Sequence, residues 1–120
     1  MIEERIAAHL GSMKDAATKA VLLVENTSYD LFLDDPNAQA ATAMFLIVIG
    51  EAAAKIAQLS PSFAASNHHL PWEKMRGLRN RIVHDYETLH VPTIWATARD
   101  SLPALLLEID LLLGAPHNAT

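Results

Sequence analysis

The sequence predicts an all-α fold, an up-down four-helix bundle with one short extra helix. Three observations carry that expectation. Apolar residues recur at three- and four-residue steps over long stretches, the pattern of helices with one buried face. Alanine and leucine supply most of the 51% hydrophobic content, and aromatics are only 6%, a balance that favours close-packed helices over sheets. No segment alternates apolar and polar residues as a half-buried strand would, and there is no internal repeat, low-complexity segment or glycine-rich phosphate loop. With 120 residues the chain is long enough for one domain and too short for two. Residues 1–114 are expected to form that domain, and residues 115–120 a disordered tail.

The first helix carries a stripe of Ile2, Ile6, Leu10, Met13, Ala17, Val21 and Val24 and ends near Glu25 or Asn26. Gly11 interrupts it and is expected to break or bend it. Asn26, Thr27 and Ser28 offer cap chemistry for a short helical turn over residues 29–33. Asp35 followed by Pro36 is a strong start for the second long helix, because Asp caps the free backbone donors and Pro fits the first helical position. This helix runs to about Leu59. Its middle, A-M-F-L-I-V-I, is apolar on every face, so it is either the central helix of the bundle or shared with a second subunit. The small residues of G-E-A-A-A-K permit close approach of a neighbouring backbone, and Glu51 and Lys55 have the spacing of a surface ion pair.

Residues 60–70, with Pro61, two serines, Asn67, His68 and His69, are expected to be a loop. The two adjacent histidines point in different directions and no acid nearby completes a metal set. Pro71 opens the third long helix, with Trp72, Met75, Leu78, Ile82 and Tyr86 as its buried stripe. After a turn over residues 87–91, Pro92 starts the last helix. Pro103 should kink it by removing a backbone donor and crowding the preceding turn, and Gly114 should end it.

The composition narrows the function. A net charge of −5 leaves any nucleic-acid contact local and salt-sensitive. The absence of cysteine excludes disulfides and thiolate metal sites and fits a reducing cytoplasm. The charged start M-I-E-E-R lacks a signal-peptide core. The longest apolar run, residues 43–49, is short of the roughly 20 residues of a membrane span. A cytoplasmic protein without a membrane partner is expected.

The distinctive stretch is P-W-E-K-M-R-G-L-R-N-R-I-V-H-D-Y, residues 71–86. Lys74, Arg76, Arg79 and Arg81 are four of the nine Lys and Arg residues, held within eight positions of an acidic chain. Such an island suits an anion. Arginine offers phosphate a rigid fork of donors. His84 can move a proton near neutral pH, and Tyr86 adds a hydroxyl. Taken singly, the same residues suit a solvated helix face and a helix-end histidine. Geometry constrains the combination. At 100° per residue, Arg79 and His84 lie about 140° apart on a straight helix, whereas Arg79 and Tyr86 share a face. Either the helix ends or bends near His84, or the Arg79 arm reaches across, or two copies of the motif line one cleft.

The string Arg79-Asn80, three residues, His84, one residue, Tyr86 resembles the Arg-x4-His-x-Tyr signature of the HEPN superfamily. It is most similar to the HepT-type toxins of toxin–antitoxin pairs. The resemblance covers nearly the whole chain, including W-x6-R-N-x3-H-x-Y, the G-E-A stretch and residues 95–103. It implies a homodimer with paired motifs at the interface and a metal-independent endoribonuclease that needs no cofactor. It implies the toxin part of a type VII-like pair, with tRNA or mRNA as substrate. The partner it implies is an MntA-like nucleotidyltransferase antitoxin that transfers AMP to Tyr86. Under it, Arg79 and His84 are catalytic, Asn80 and Glu51 support them, and Lys74, Arg76 and Arg81 contact RNA phosphates. Asp85 and Glu87 depart from what an RNA path favours. Two alternatives are a non-cleaving, nucleotide-binding partner subunit of a minimal nucleotidyltransferase and a purely structural dimerisation bundle.

Overall fold

Helix α1 (Glu4–Glu25) begins on a side-chain cap. The Glu3 carboxylate accepts the backbone N–H groups of Arg5 at 2.7 Å and Ile6 at 3.2 Å, two donors that otherwise lack partners at a helix start. These contacts belong to a computed structural model that describes residues 2–114. The expected tail, residues 115–120, lies outside the described residues. α1 then runs through Gly11 without the expected break. A single glycine costs a helix only about 1 kcal/mol, and the buried row Ile6, Leu10, Met13, Ala17 continues across it.

The next two starts follow the sequence. Ser28 caps the short α2 (Tyr29–Leu33) by accepting from the Leu31 N–H at 3.2 Å. Asp35 caps α3 (Pro36–Leu59) by accepting from the Ala38 N–H at 3.1 Å. Gln39 on α3 donates to the Phe32 and Leu33 carbonyls at 2.9 and 3.1 Å, which ties the end of α2 to α3. Residues 60–70 are not simply a loop. Ser60 accepts from the Phe63 N–H at 3.2 Å and starts a further helix, α4 (Pro61–Ser66). Trp72 fixes the connection that follows, its indole N–H donating to the Asn67 carbonyl at 3.0 Å.

α5 (Trp72–His84) ends at the motif histidine, and Tyr86 opens a separate 3-10 turn, Tyr86–Thr88. Tyr86 is therefore not part of the buried stripe; it is 68% exposed. The last long element starts one residue before Pro92, as α6 (Val91–Ala96), passes through a widened π-type turn at Thr97–Ser101, and continues as α7 (Leu102–Leu112). The kink expected from Pro103 takes this form. The proline ring crowds the carbonyl four residues back, Arg99, which lies inside the widened turn. Gly114 follows with φ of +67°, a left-handed conformation that glycine adopts freely.

No strand occurs among the described residues, and the fold is an all-α bundle. α1 packs on α3 and α7, and α3 packs on α1 and α5. Leu10, Met13, Ile56 and Ile109 are fully enclosed, each contributing about 1.5–3 kcal/mol through burial. α2 docks on the α6 end through Trp95, whose ring lies 5.1 Å from Phe32 and 5.6 Å from Tyr29 between centroids. By length and composition α3 could cross a membrane; here its buried side belongs to the bundle core. Its burial is incomplete, with Met44 56% exposed. The fourth seam, between α5 and α7, stays open as a groove of about 690 Å³.

Candidate functional site

At Gly50, α3 and α5 are in close contact. A Cβ there would overlap the Arg79 Cβ, lie 2.7 Å from the Met75 carbonyl oxygen and 3.0 Å from the Arg79 Cγ. The glycine therefore lets the stem of Arg79 lie directly on α3. The guanidinium is carried to the next residue, where Arg79 Nη1 donates to Glu51 Oε1 at 2.5 Å. The Arg79 side chain is 22% exposed and Glu51 51%. Arg79 Nε is buried and has no hydrogen-bond partner. Glu51 thus pairs with an arginine 28 positions away in place of the expected Lys55.

The other motif residues face outward. Asn80 and His84 are exposed on α5, and Asp85, Tyr86 and Glu87 are exposed beyond its end. Around the helix axis, Asn80 and His84 lie about 100° and 140° from Arg79. Arg79 is held against α3 while the histidine and tyrosine stand free at the C-terminal end of α5. The helix does end at His84, the first of the geometric options left open by the spacing.

The remaining cations of the stretch separate into two groups. Arg76, about 60° from Arg79, is paired with Glu73 at 2.5 Å. Lys74 and Arg81, about 140° and 160° from Arg79, line the α5–α7 groove. A second cavity of about 340 Å³ lies beyond the end of α5, between Arg81, Asp85, His90 and Thr93. His90 Nδ1 is 2.5 Å from Thr93 Oγ1 there, a polar cluster with no local sequence signal. Neither cavity is lined by Arg79 or His84. The adjacent histidines of the α4–α5 connection are drawn apart, with His69 Nε2 3.1 Å from Glu108 Oε1 on α7. Among the described residues no three His, Asp or Glu side chains converge as a metal ion would require.

Sequence reasoning placed Glu51 near the site but not on Arg79. Two signals pointed there. Glu51 is the single acid in α3, and it directly follows the glycine at the crossing.

The sequence that builds this bundle matches a known family of proteins. The family model described as Ribonuclease HepT-like matches residues 13–112. The chain belongs to this HepT-like family, within the HEPN superfamily. Among curated proteins it is 25% identical to a "Putative RNase" of Methanocaldococcus jannaschii, over 94% of this chain and 91% of that protein. It is 29% identical to a "Probable ribonuclease HepT" of Thermococcus cleftensis, over 82% of this chain and 89% of that protein. A "Putative RNase" of Caldanaerobacter subterraneus is 28% identical over 75% of this chain and 78% of that protein. No solved structure gives a significant match.

Proposed function

We propose that the protein is a metal-independent endoribonuclease toxin of the cytoplasm, working as a homodimer in which two α5 helices line one cleft. The observation that carries this reading is the division of labour on α5. Arg79 is fixed by Glu51 and Gly50, while Asn80, His84 and Tyr86 are exposed and unused by the fold. Family membership supplies the reaction class. Because Arg79 and His84 stand about 140° apart on one helix, a second copy is a simple way to bring an arginine and a histidine to the same phosphate. The exposed Met44 on α3 supports a shared surface.

The chemistry needs no metal. The RNA 2′-hydroxyl attacks the adjacent phosphorus, the bond to the 5′-oxygen breaks, and a cyclic phosphate forms. Arg79, with Arg76 beside it, stabilises the phosphate charge as it develops. His84 takes the 2′-hydroxyl proton or gives one to the leaving oxygen, and Asn80 orients it. Tyr86, with its ring in solvent, is the acceptor of AMP from an MntA-like nucleotidyltransferase antitoxin. The added bulk and negative charge would then sit at the mouth of the phosphate site and shut it. Asp85 and Glu87, both exposed beside Tyr86, favour one alternative: a nucleotide-binding partner subunit that does not cleave.

The test is cleavage of tRNA and mRNA by purified protein in the presence of a chelator. Arg79→Ala and His84→Ala should each lower the rate by at least about a hundredfold, and the double variant should be little worse than either. Equal cleavage by wild type and double variant would place the chemistry elsewhere. No cleavage by wild type, with ATP-dependent mass gain on Tyr86, would select the non-cleaving alternative. Tyr86→Phe should abolish that gain.

A further inference from the structure

The groove between α5 and α7 is lined by neither Arg79 nor His84 and is not used by the chemistry above, yet two cations stand on its rim. The groove between α5 and α7 has a floor of Met75, Leu78, Leu102 and Leu105 and a rim of Lys74 and Arg81, and no acid lines it. This is unusual in a chain of net charge −5. Of the nine Lys and Arg residues, Arg5, Lys14, Lys19, Arg76 and Arg79 are in ion pairs within the chain. Among the described residues, Lys55, Lys74, Arg81 and Arg99 have no such partner, and of these four Lys74 and Arg81 share one groove. An apolar slot with unpaired cations on one rim fits a ridge that is apolar and acidic.

The same chain carries such a ridge. On α2, Phe32 is fully buried. Asp30 lies about 160° from Phe32 around the axis, Leu31 and Leu33 stand about 100° to either side of Phe32, Asp34 follows at the C-terminal cap, and all four are exposed. Leu31 is 65% exposed, more than any other leucine described, and Leu33 42%. Neither aspartate has a cationic partner among the described residues. We propose that the α5–α7 groove receives the α2 ridge of a second copy of this chain. Leu31 enters the groove over Met75, Leu78, Leu102 and Leu105, and Asp30 and Asp34 meet Lys74 and Arg81. The two cations lie about 10.5 Å apart along α5 and the two acids about 6 Å apart along α2 and its C-terminal cap, a mismatch within reach of the long Lys and Arg arms.

Two other occupants fit less well. Single-stranded RNA binds by stacking its bases on aromatic rings as well as by charge, and no aromatic side chain lines the groove. The exposed pair Leu107 and Leu111 on α7 forms a second apolar ridge, but its neighbouring acid, Glu108, is already engaged by His69. The contact uses neither Arg79 nor His84, so it stands or falls separately from the ribonuclease reading.

The experiment is sedimentation equilibrium at low and high salt, on the full chain and on charge-reversed variants. Lys74→Glu with Arg81→Glu should weaken self-association roughly tenfold or more, as should Asp30→Lys with Asp34→Lys. Combining all four reversals should restore it. All four positions are exposed, and circular dichroism checks that each variant keeps its helices. The absence of cysteine allows a second measurement. Chains carrying Leu31→Cys are mixed under oxidising conditions with chains carrying Ser101→Cys, a groove-lining position. A mixed disulfide that forms faster than with a Leu107→Cys control supports the contact. Unchanged association of both reversed pairs, or no preference for the mixed disulfide over the control, overturns it. An RNA affinity that falls on Lys74→Glu and Arg81→Glu, with association unchanged, would overturn it in favour of a nucleic-acid groove.

Discussion

Helix α5 is treated in opposite ways on its two sides. Toward α3 it is packed until no Cβ fits at Gly50, and the arginine on that side is tied to Glu51. Toward α7 it stands off, and a Cβ at Gly77, which lines the groove, would meet nothing within 4 Å. The cation on the closed side is paired with an acid of the same chain, and the cations on the open side are not. The difference separates a residue that the fold holds in place from residues that the fold leaves for something else.

The sharpest way to break this comparison is to fill both glycines. Gly50→Val should be severely destabilising, because the new methyls meet the Met75 carbonyl and the Arg79 stem. Overpacking of this kind costs about 1–3 kcal/mol, or roughly 3–6 °C in Tm for each kcal/mol in a domain of this size. It should also displace Arg79 and remove activity. Gly77→Ala should do the reverse, raising stability by about 0.5–1 kcal/mol. A thermal melt of both variants decides. If Gly50→Val melts like wild type, the crossing is not the tight one described.

The Glu51 contact sharpens the comparison by separating stability from function. The pair is partly exposed, so Glu51→Ala should cost less than about 1 kcal/mol of stability. Its effect on cleavage should be larger, roughly tenfold to a hundredfold in kcat, because a loosened arginine no longer meets the phosphate in register. Glu51→Gln keeps an oxygen acceptor for Arg79 Nη1 and should retain more activity than alanine. Equal losses for the two variants would mean that the charge, and not the placement, is what matters.

The smallest effect is expected at the far end of the bundle. The Arg5 side chain donates to Glu3 at 2.9 Å, and this bond, aided by the Ile6 and Arg5 backbone N–H groups, holds the Glu3 carboxyl below its ordinary range. A depressed folded pKa contributes stability that is present above the unfolded value and lost as pH falls through the folded one. Because Glu3 is an exposed cap at the end of the bundle, acid should fray only the first turn of α1. Reduced protection of the Arg5 and Ile6 amides, relative to intrinsic exchange, as the pH falls below the ordinary carboxylate range, with the bundle core unchanged, is the expected outcome.

Much of this architecture was legible locally. Ser28 and Asp35 marked helix starts because a capping side chain acts within three residues of itself. The same signature, Ser60 before Pro61, also marked α4, but the polar composition of residues 60–70 outweighed it. Gly11 was over-weighted, since helix packing across a glycine is a tertiary effect. Tyr86 was misplaced because helical spacing was carried two residues beyond the true end of α5, where no residue shares the helix phase. In the candidate site, the spacing of Arg79 and His84 showed that they lie on different sides of one helix. The partner of Glu51 could not be read in this way, because Arg79 reaches it across 28 residues and Lys55 offered a nearer answer. The open seam was invisible for the same reason. It depends on how far α7 stands from α5, which no run of residues encodes.

The end of α5 at His84 has a consequence for how such a motif can vary. Between Arg79 and His84 the backbone is helical, so one inserted residue would swing the histidine by about 100° around the axis and misdirect it. Between His84 and Tyr86 the helix has stopped, and an added residue only lengthens a solvent-exposed turn. The two spacers of one short motif therefore differ in tolerance: the first is fixed by angle, the second only by reach.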